Sequence, residues 1–439
     1  MRESLKNCRA MTQSAVHPKS GDCSISVCVV TSYEAIQEPR APRHAVALAE
    51  VIPASRVTLI DCAPRGKAHG DPIILRESSV GRQTIFFPHR RSGGARLLWR
   101  RAVRSFRRGM FKLTGRLHPA AVSDRAIGLT RLLIKKNADV YVAHNIDTLL
   151  PAVLAAKQVN AVVVFDCMEF YSDMGDMQTN VEKAMIRHLE SQYLKECDLV
   201  LASSDEVSAA LVQAYHIRRP TAVYNVPPLT TVVTRKACSR GPFRLYWRNS
   251  VVGLGDRGLE DVLRALPLLS ESVELHLQGR LGPDGGRAVR ALISHLNLVN
   301  RVYFHAPHEP HEAVVAAANY SVGLCLERKV NRNHEFTVSN KIFDYLMAGL
   351  PVVASNVAGL RRVIARSGGG ILYEPGSVTD LAAKIAYLHS NPTVVDAMSK
   401  RGQQFAIAEG NWEHERGKFI AAINDAIQRR LGEKHRRQV

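Results

Sequence analysis

Short runs of β-branched residues alternate with helical patterns almost from end to end of the chain. ISVCVV (residues 25–30) leads into PRHAVALAEV and VTLID, and DVYVAH, TLLPAVLAAK, AVVVFD, VEKAMIRHLESQYL, DLVLAS, DEVSAALVQAY and TAVYNV continue the rhythm. Unbroken apolar runs of strand length, separated by amphipathic helices, predict parallel sheets covered on both faces. The rhythm pauses at PPLTTVVTRKACSRGP, a polar, turn-rich stretch that reads as an interdomain linker. It restarts with FRLYW, GLEDVLRALPLL, VELHLQG, AVRALISHL, VYFHA, HEAVVAAA and SVGLCL. The pattern therefore predicts two doubly wound α/β domains of similar size joined near residue 235. A polar N-terminal extension (1–22) precedes a first domain (23–234); a second domain (235–410) is followed by a closing helix and basic tail (411–439). Ligands in such sheets sit beyond the carboxyl ends of the strands, and here in the cleft between domains.

The stretch NKIFDYLMAGLPVVAS (340–355) compresses the pattern into one turn of chain. Ile342, Phe343, Leu346 and Met347 recur at helical spacing, Gly349 stands where a left-handed C-cap is wanted, and Pro351 bars any return to helix. A single acid, Asp344, lies in the first turns of that otherwise apolar helix.

Composition changes the picture in one respect. At 439 residues with 46% hydrophobic content the chain is an ordinary globular length for two domains, but 59 Lys and Arg against 40 Asp and Glu leave a net charge of +19. That excess points to an anionic partner: a phosphorylated substrate, an acidic lipid surface or nucleic acid. The excess concentrates in residues 90–117, where ten Arg and Lys occur and no acid stands from Ser78 to Ser123. Trp99, Val103, Phe106, Met110, Leu113 and Leu117 step through this segment by fours and threes beside Arg100, Arg101, Arg104, Arg107 and Arg108. A basic helix with Trp and Phe on its apolar stripe reads as lying in a membrane interface; the alternative is a stripe packed on the domain core. Few aromatic residues are free for base stacking, which disfavours nucleic acid. The eight cysteines are scattered without ligand-like spacing and read as core residues of a reducing compartment. No apolar h-region opens the chain and no run of about 18 apolar residues crosses a membrane. The expected location is cytoplasmic, peripheral to the inner face of the membrane.

Several stretches together resemble the family 4 retaining glycosyltransferases of the GT-B fold, of bacterial envelope or exopolysaccharide type. ADVYVAHNIDTLLPAVLAAK with VVFDCMEFYSD is similar to their N-domain, and LYWRNSVVGLGDRGLEDVLRAL to the start of the donor domain. SNKIFDYLMAGLPVVAS is similar to the family's most recognisable helix and NWEHERGKFIAAIND to its closing helix. The resemblance implies two facing Rossmann-like domains, with a C-terminal helix crossing back to the N-domain. It implies sugar transfer from a nucleotide-sugar donor, a UDP- or GDP-sugar, to a carbohydrate or lipid-linked acceptor with retention of configuration, and no other cofactor. The N-domain of members with lipid-linked acceptors faces the membrane, and the basic segment lies where the resemblance lapses.

On the donor side the resemblance implies that Asp344, usually Glu in the family, holds the ribose, and that Arg257 contacts the diphosphate. Amides around Ser339 and Asn340 at a helix N-terminus suit the same diphosphate, with Lys341 assisting and Gly279 forming a turn at the base. The bland alternatives are a dipole partner for Asp344, solvated faces for Arg257 and Lys341, and a plain turn for Gly279. On the acceptor side Asp166, Glu169, Asp173 and Asp176 read as an acidic loop after a strand. Glu169 keeps the family acid, and His144 ends a strand. Departures stand beside these matches. Met168 replaces a family His, Phe336 replaces the first of two acids spaced across the donor motif with Glu335 as a neighbouring substitute, and Arg248 replaces a Gly. These departures sustain a second expectation, a non-catalytic glycosyltransferase-like subunit that scaffolds a partner enzyme; an epimerase on the same fold is a third. His305, His308 and His311 stand at threes in HAPHEPH, but Pro307 and Pro310 break any helix that would align them, so no metal is expected. No G-x-G-x-x-G follows the first strand, which argues against an NAD enzyme.

Overall fold

The structure, a computed structural model, describes residues 25–53, 56–64, 70–87, 95–175, 179–233, 241–255 and 257–438. The N-terminal extension, Arg90, Arg91, Asp176 and residues 234–240 of the expected linker lie outside the described residues. The first half of the chain runs β1 (Val27–Thr31), α1 (Arg40–Ala49), β2 (Val57–Pro64), β3 (Gly81–Phe87), α2 (Ala95–Thr114), α3 (Ala126–Lys136), β4 (Val140–His144), α4 (Ile146–Val159), β5 (Val162–Cys167), α5 (Asn180–Tyr193), β6 (Leu199–Ala202), α6 (Asp205–Tyr215) and β7 (Thr221–Ala222). Its strands form one seven-stranded sheet in the order β3-β2-β1-β4-β5-β6-β7. Every residue of β1, β4 and β5 is buried, which is why these strands read as unbroken apolar runs.

The second half runs β8 (Phe243–Val252), α7 (Leu259–Ala265), β9 (Val273–Leu281), α8 (Pro283–His295), β10 (Val302–His305), β11 (Val322–Cys325), α9 (Arg332–Phe336), α10 (Lys341–Met347), β12 (Val352–Ser355), α11 (Ala358–Ser367), β13 (Gly370–Tyr373), α12 (Val378–Ser390), α13 (Pro392–Ala408) and α14 (Trp412–Gln438). Its strands pair in parallel as β10-β9-β8-β11-β12-β13. Apolar side chains cover both faces: Leu245, Trp247, Leu275, Leu277 and Leu324 on one, Tyr246, Ile342, Tyr345 and Leu346 on the other. Each sheet reverses its strand order once, at β1/β4 and at β8/β11, so the chain leaves two switch points where neighbouring connections diverge.

Local chemistry sets the helix ends. The Ser204 and Ser377 hydroxyls accept from backbone amides at the starts of α6 and α12, and Thr179 and Glu182 form a capping box on α5. Helix α10 ends as its sequence predicts: Gly349 has φ 66°, and Leu350 N donates to Tyr345 O at 2.8 Å.

The chain divides into two compact units, 1–165 with 196–198 and 426–439, and 166–195 with 199–425. The closing helix α14 contributes to both. Within the second unit Glu415 accepts from Tyr224 N at 2.8 Å and Trp412 N donates to Pro227 O at 2.9 Å. Within the first, Arg430 donates to Asn160 Oδ1 at 2.8 Å and Arg429 to Asp198 O at 3.2 Å.

Helix α2 lies with its apolar stripe outward. Trp99, Phe106 and Leu113 are 67%, 63% and 83% exposed, and Leu98 and Met110 are exposed beside them. The opposite side holds the helix to the first unit: Phe111 is buried, Arg104 pairs with Asp124, and Arg108 Nε donates to Ala121 O at 3.1 Å. The core-packed alternative for this stripe is therefore wrong. So is the expectation that Arg104 and Arg108 belong to the outward face. They turn inward because Asp124 and an open carbonyl at Ala121 offer them partners. Leu117 falls beyond the helix, which stops before Gly115.

One buried acid makes stability depend on pH. Glu190, on α5, is fully buried and accepts from Tyr171 N at 3.1 Å and the Tyr215 hydroxyl at 2.6 Å. Burial pushes its pKa up to about 7 against the pull of these hydrogen bonds. The native state therefore keeps a proton that the unfolded chain has already lost, so stability falls as pH rises from about 4.5 to 7. The penalty approaches about 3 kcal/mol at 1.36 kcal/mol per pKa unit. Glu190→Gln should match the wild type in urea denaturation near pH 5 and exceed it above pH 7.5, with a flatter profile between.

Candidate functional site

At the β8/β11 switch point of the second unit the sheet geometry gathers several charges. β8 carries Arg248 near its carboxyl end, where its pairing with β9 shifts register between Arg248 and Val251. β11 ends at Cys325, and the chain continues through Leu326 to Glu327. The loop before α7 approaches closely enough that a Cβ on Gly258 (φ +64°) would lie 2.1 Å from Leu326 O. A Cβ on Gly279 (φ +149°) would likewise meet Asn249 O at 2.2 Å, so both turns require glycine.

Glu327 is the hub. Its side chain is 5% exposed, and its carboxylate lies 3.1 Å from Lys341 Nζ and 3.7 Å from Arg257 Nη1. Burial alone would raise its pKa, but Lys341 and Arg257 outweigh burial and hold it below the ordinary carboxylate value. Lys341 is itself buried, with Nζ 5.8 Å above the Trp247 ring, while Trp247 Nε1 donates to Arg257 O at 3.1 Å. The solvated-face alternative for Lys341 is thereby excluded. Asp344, one turn into α10, forms an ion pair with Arg248. Burial works against the Arg248 charge and the Asp344 carboxylate more than restores it. Ser339 is half-buried, Asn340 is exposed, and Glu335 pairs with Lys329 at 2.8 Å.

The acceptor-side residues divide. Glu169 accepts from Asn333 Nδ2 at 2.7 Å, and Asn333 Oδ1 accepts in turn from Phe170 N at 2.7 Å. Burial raises the Glu169 pKa, while the Asn333 hydrogen bond and the Arg257 charge pull it partly back. Met168 is half-buried. Asp166 is not in a loop: it lies inside β5 and is fully buried, because the strand runs two residues past the last expected apolar position. His144 is also fully buried, its ring 4.9 Å from that of His44. Phe336 packs edge-on against Phe170 at 6.1 Å, and Arg332 lies 5.4 Å above it. The HAPHEPH histidines take separate partners, His305 with His276 at 2.9 Å and His308 with the Tyr246 hydroxyl at 3.4 Å.

Two residues escaped the sequence reading. Glu327 had a visible signal, an acid closing the apolar run SVGLCL at a strand's carboxyl end. Asn333 had none, since its two partners stand 163 and 164 residues away.

Residues 251–391, which hold Arg257, Glu327, Lys341 and Asp344, match the family described as Glycosyl transferases group 1. The chain has the GT-B glycosyltransferase fold. It superposes on the Anabaena protein Alr3699/HepE in complex with UDP and glucose (TM-score 0.68, 14% identity, 91% of this chain and 99% of that one). Sucrose-phosphate synthase from Thermosynechococcus elongatus (TM-score 0.63, 16%, 94% and 99%) and a glycosyltransferase from Rickettsia africae (TM-score 0.65, 13%, 92% and 99%) share it. No curated protein matches the chain in sequence.

Removing one partner of a buried ion pair leaves the other charge uncompensated, at a cost of about 3–5 kcal/mol. Glu327→Ala should lose stability of that order in urea denaturation. Glu327→Gln combined with Lys341→Met, which deletes both charges, should recover most of it.

Proposed function

We propose that this chain is a retaining glycosyltransferase that moves a sugar from a UDP- or GDP-sugar to a carbohydrate or lipid-linked acceptor, in polysaccharide or glycolipid assembly. The observation that carries the proposal is the convergence of Arg257, Lys341 and Arg248 at a switch point inside the matched glycosyltransferase residues. Arg257 and Lys341 supply fixed positive charge where a nucleoside diphosphate would leave as the sugar becomes oxocarbenium-like. Asp344, shorter than the usual Glu and tied to Arg248, holds the ribose hydroxyls. The amides of Ser339 and Asn340 meet the diphosphate, and Gly279 keeps the base of the site open. Glu335 and Met168 complete the surroundings. The acceptor hydroxyl attacks on the face the diphosphate leaves from, and the diphosphate takes its proton. Glu169, whose proton affinity burial raises, is the acceptor-side acid. No step requires a metal.

The packing of Phe336 against Phe170 favours one second reading, a glycosyltransferase-like subunit that scaffolds a partner enzyme, because an apolar contact stands where the family places an acid. Calorimetry with UDP, GDP and their sugars separates the two. Nucleotide binding at micromolar to low millimolar levels is expected. Arg257→Ala and Asp344→Ala should each weaken it by about 1–3 kcal/mol. No nucleotide binding together with sugar transfer only when a partner transferase is present would establish the scaffold instead.

The outward stripe of α2 supports a peripheral, inner-face membrane location. Trp99, Phe106 and Leu113 are free to enter an interface, and Arg100, Arg101, Arg107 and Lys112 flank them with charge that suits anionic lipid. Replacing Trp99, Phe106 and Leu113 together with Ser should abolish sedimentation with anionic vesicles and leave nucleotide affinity unchanged. Wild-type vesicle binding should fall with added salt.

A further inference from the structure

The second unit contains a cavity of about 450 Å³ whose described lining includes none of the residues placed above around the donor and, of the acidic loop considered for the acceptor, Asp173 alone. Arg187 from α5 and Arg332 from α9 both line it. Both are exposed, and among the described residues neither has a carboxylate partner. This distinguishes them from Arg82, Arg248, Arg328 and Arg362, each of which is paired. Arg332 is also held in place, its guanidinium 5.1 Å from the Phe170 ring and 5.4 Å from the Phe336 ring. Stacking uses the faces of a guanidinium and leaves the N–H donors in its plane for an oxyanion.

Apart from Asp173, the rest of the described lining is uncharged and rich in hydroxyls. Ser172, Ser191 and Tyr215 contribute side-chain oxygens, and the Phe170 ring contributes an apolar wall. The Tyr215 hydroxyl donates to the buried Glu190 at 2.6 Å, so the Ser172 hydroxyl 2.8 Å away donates to the Tyr215 oxygen, and the Ser172 oxygen is left to accept from a ligand hydroxyl. Burial lowers the His188 pKa, which keeps this ring neutral, and Asp173 is the one acid of the lining among the described residues. Two cations without a carboxylate partner among the described residues specify an anion. A volume several times that of a phosphate ion, with hydroxyls spread around it, specifies that the anion is carried on a polyhydroxylated body.

We infer that this cavity binds an anionic saccharide, a sugar carrying a phosphate or a carboxylate, through Arg187 and Arg332 with Ser172, Ser191 and Tyr215 reading its hydroxyls. The site is independent of nucleotide binding, so it stands or falls apart from the proposed transferase activity.

Calorimetry on the full chain at low salt, with glucose 6-phosphate, glucuronate, glucose and inorganic phosphate, tests the assignment. At least one charged sugar should bind about tenfold or more tightly than both glucose and inorganic phosphate, since charge-assisted hydrogen bonds and hydroxyl contacts act together. Which charged sugar binds identifies the anion. Arg187→Gln with Arg332→Gln should weaken that binding about tenfold or more and reduce its salt dependence, with melting temperature and nucleotide affinity unchanged. Tyr215→Phe, which retains both cations, should weaken the sugar ligand but not inorganic phosphate. Absence of charged-sugar binding up to about 10 mM, a Kd beyond any specific site, would overturn the inference. Equal affinity for inorganic phosphate, or a double variant that binds as the wild type does, would overturn it as well.

Discussion

A carboxylate buried between two cations is the interaction around which the second unit is organised. Glu327 leaves water at the end of β11, and only close opposite charge offsets that loss of solvation. Lys341 comes from the start of α10 and Arg257 from the loop before α7, so satisfying one acid fixes three segments at the strand-order reversal. Arg328, the next residue, repeats the device by pairing with Asp261 on α7. The cations are thereby oriented before any ligand arrives, which is the condition for electrostatic stabilisation without reorganisation.

The charge balance of the site is unusual in its detail. Asp344 would be a free acceptor beside a glycine at position 248; beside Arg248 it is half of an ion pair. The arginine adds a third cation to the group, and the two acids compensate part of it. Phe336 belongs to an aromatic and guanidinium stack with Phe170 and Arg332, and Glu169 is held next to that stack by Asn333. That packing holds the Arg332 guanidinium at a cavity of its own.

On the first unit, the helix α2 inverts the common arrangement of an amphipathic helix. Arg104 and Arg108 join Phe111 in the intramolecular contacts, and Trp99, Phe106 and Leu113 face outward. An exposed row of Trp, Phe and Leu loses free energy in water and regains it only against another apolar phase or surface.

The fold was legible in the chain because its signal is local. Fully buried strands such as β4 and β5 must be apolar at every position, and helices such as α10 must carry their stop in a glycine and a proline, so the alternation survives without any knowledge of contacts. The charged positions Asp344, Lys341 and Arg257 could be nominated from the family resemblance together with their place beside helix starts. What each does could not, because the energy of a charge depends on its burial and on partners far along the chain. Sequence alone left Lys341 open between solvent and ligand, gave Glu327 no role, and placed Asp166 in a loop. Tertiary structure settled the first by burying the lysine against a carboxylate 14 residues earlier in the chain, as the residue numbers show. It likewise decided the facing of α2, for which periodicity defines a stripe but cannot say which side is covered. That choice fell to Asp124 and the carbonyl of Ala121, which drew Arg104 and Arg108 inward and left the apolar row outside.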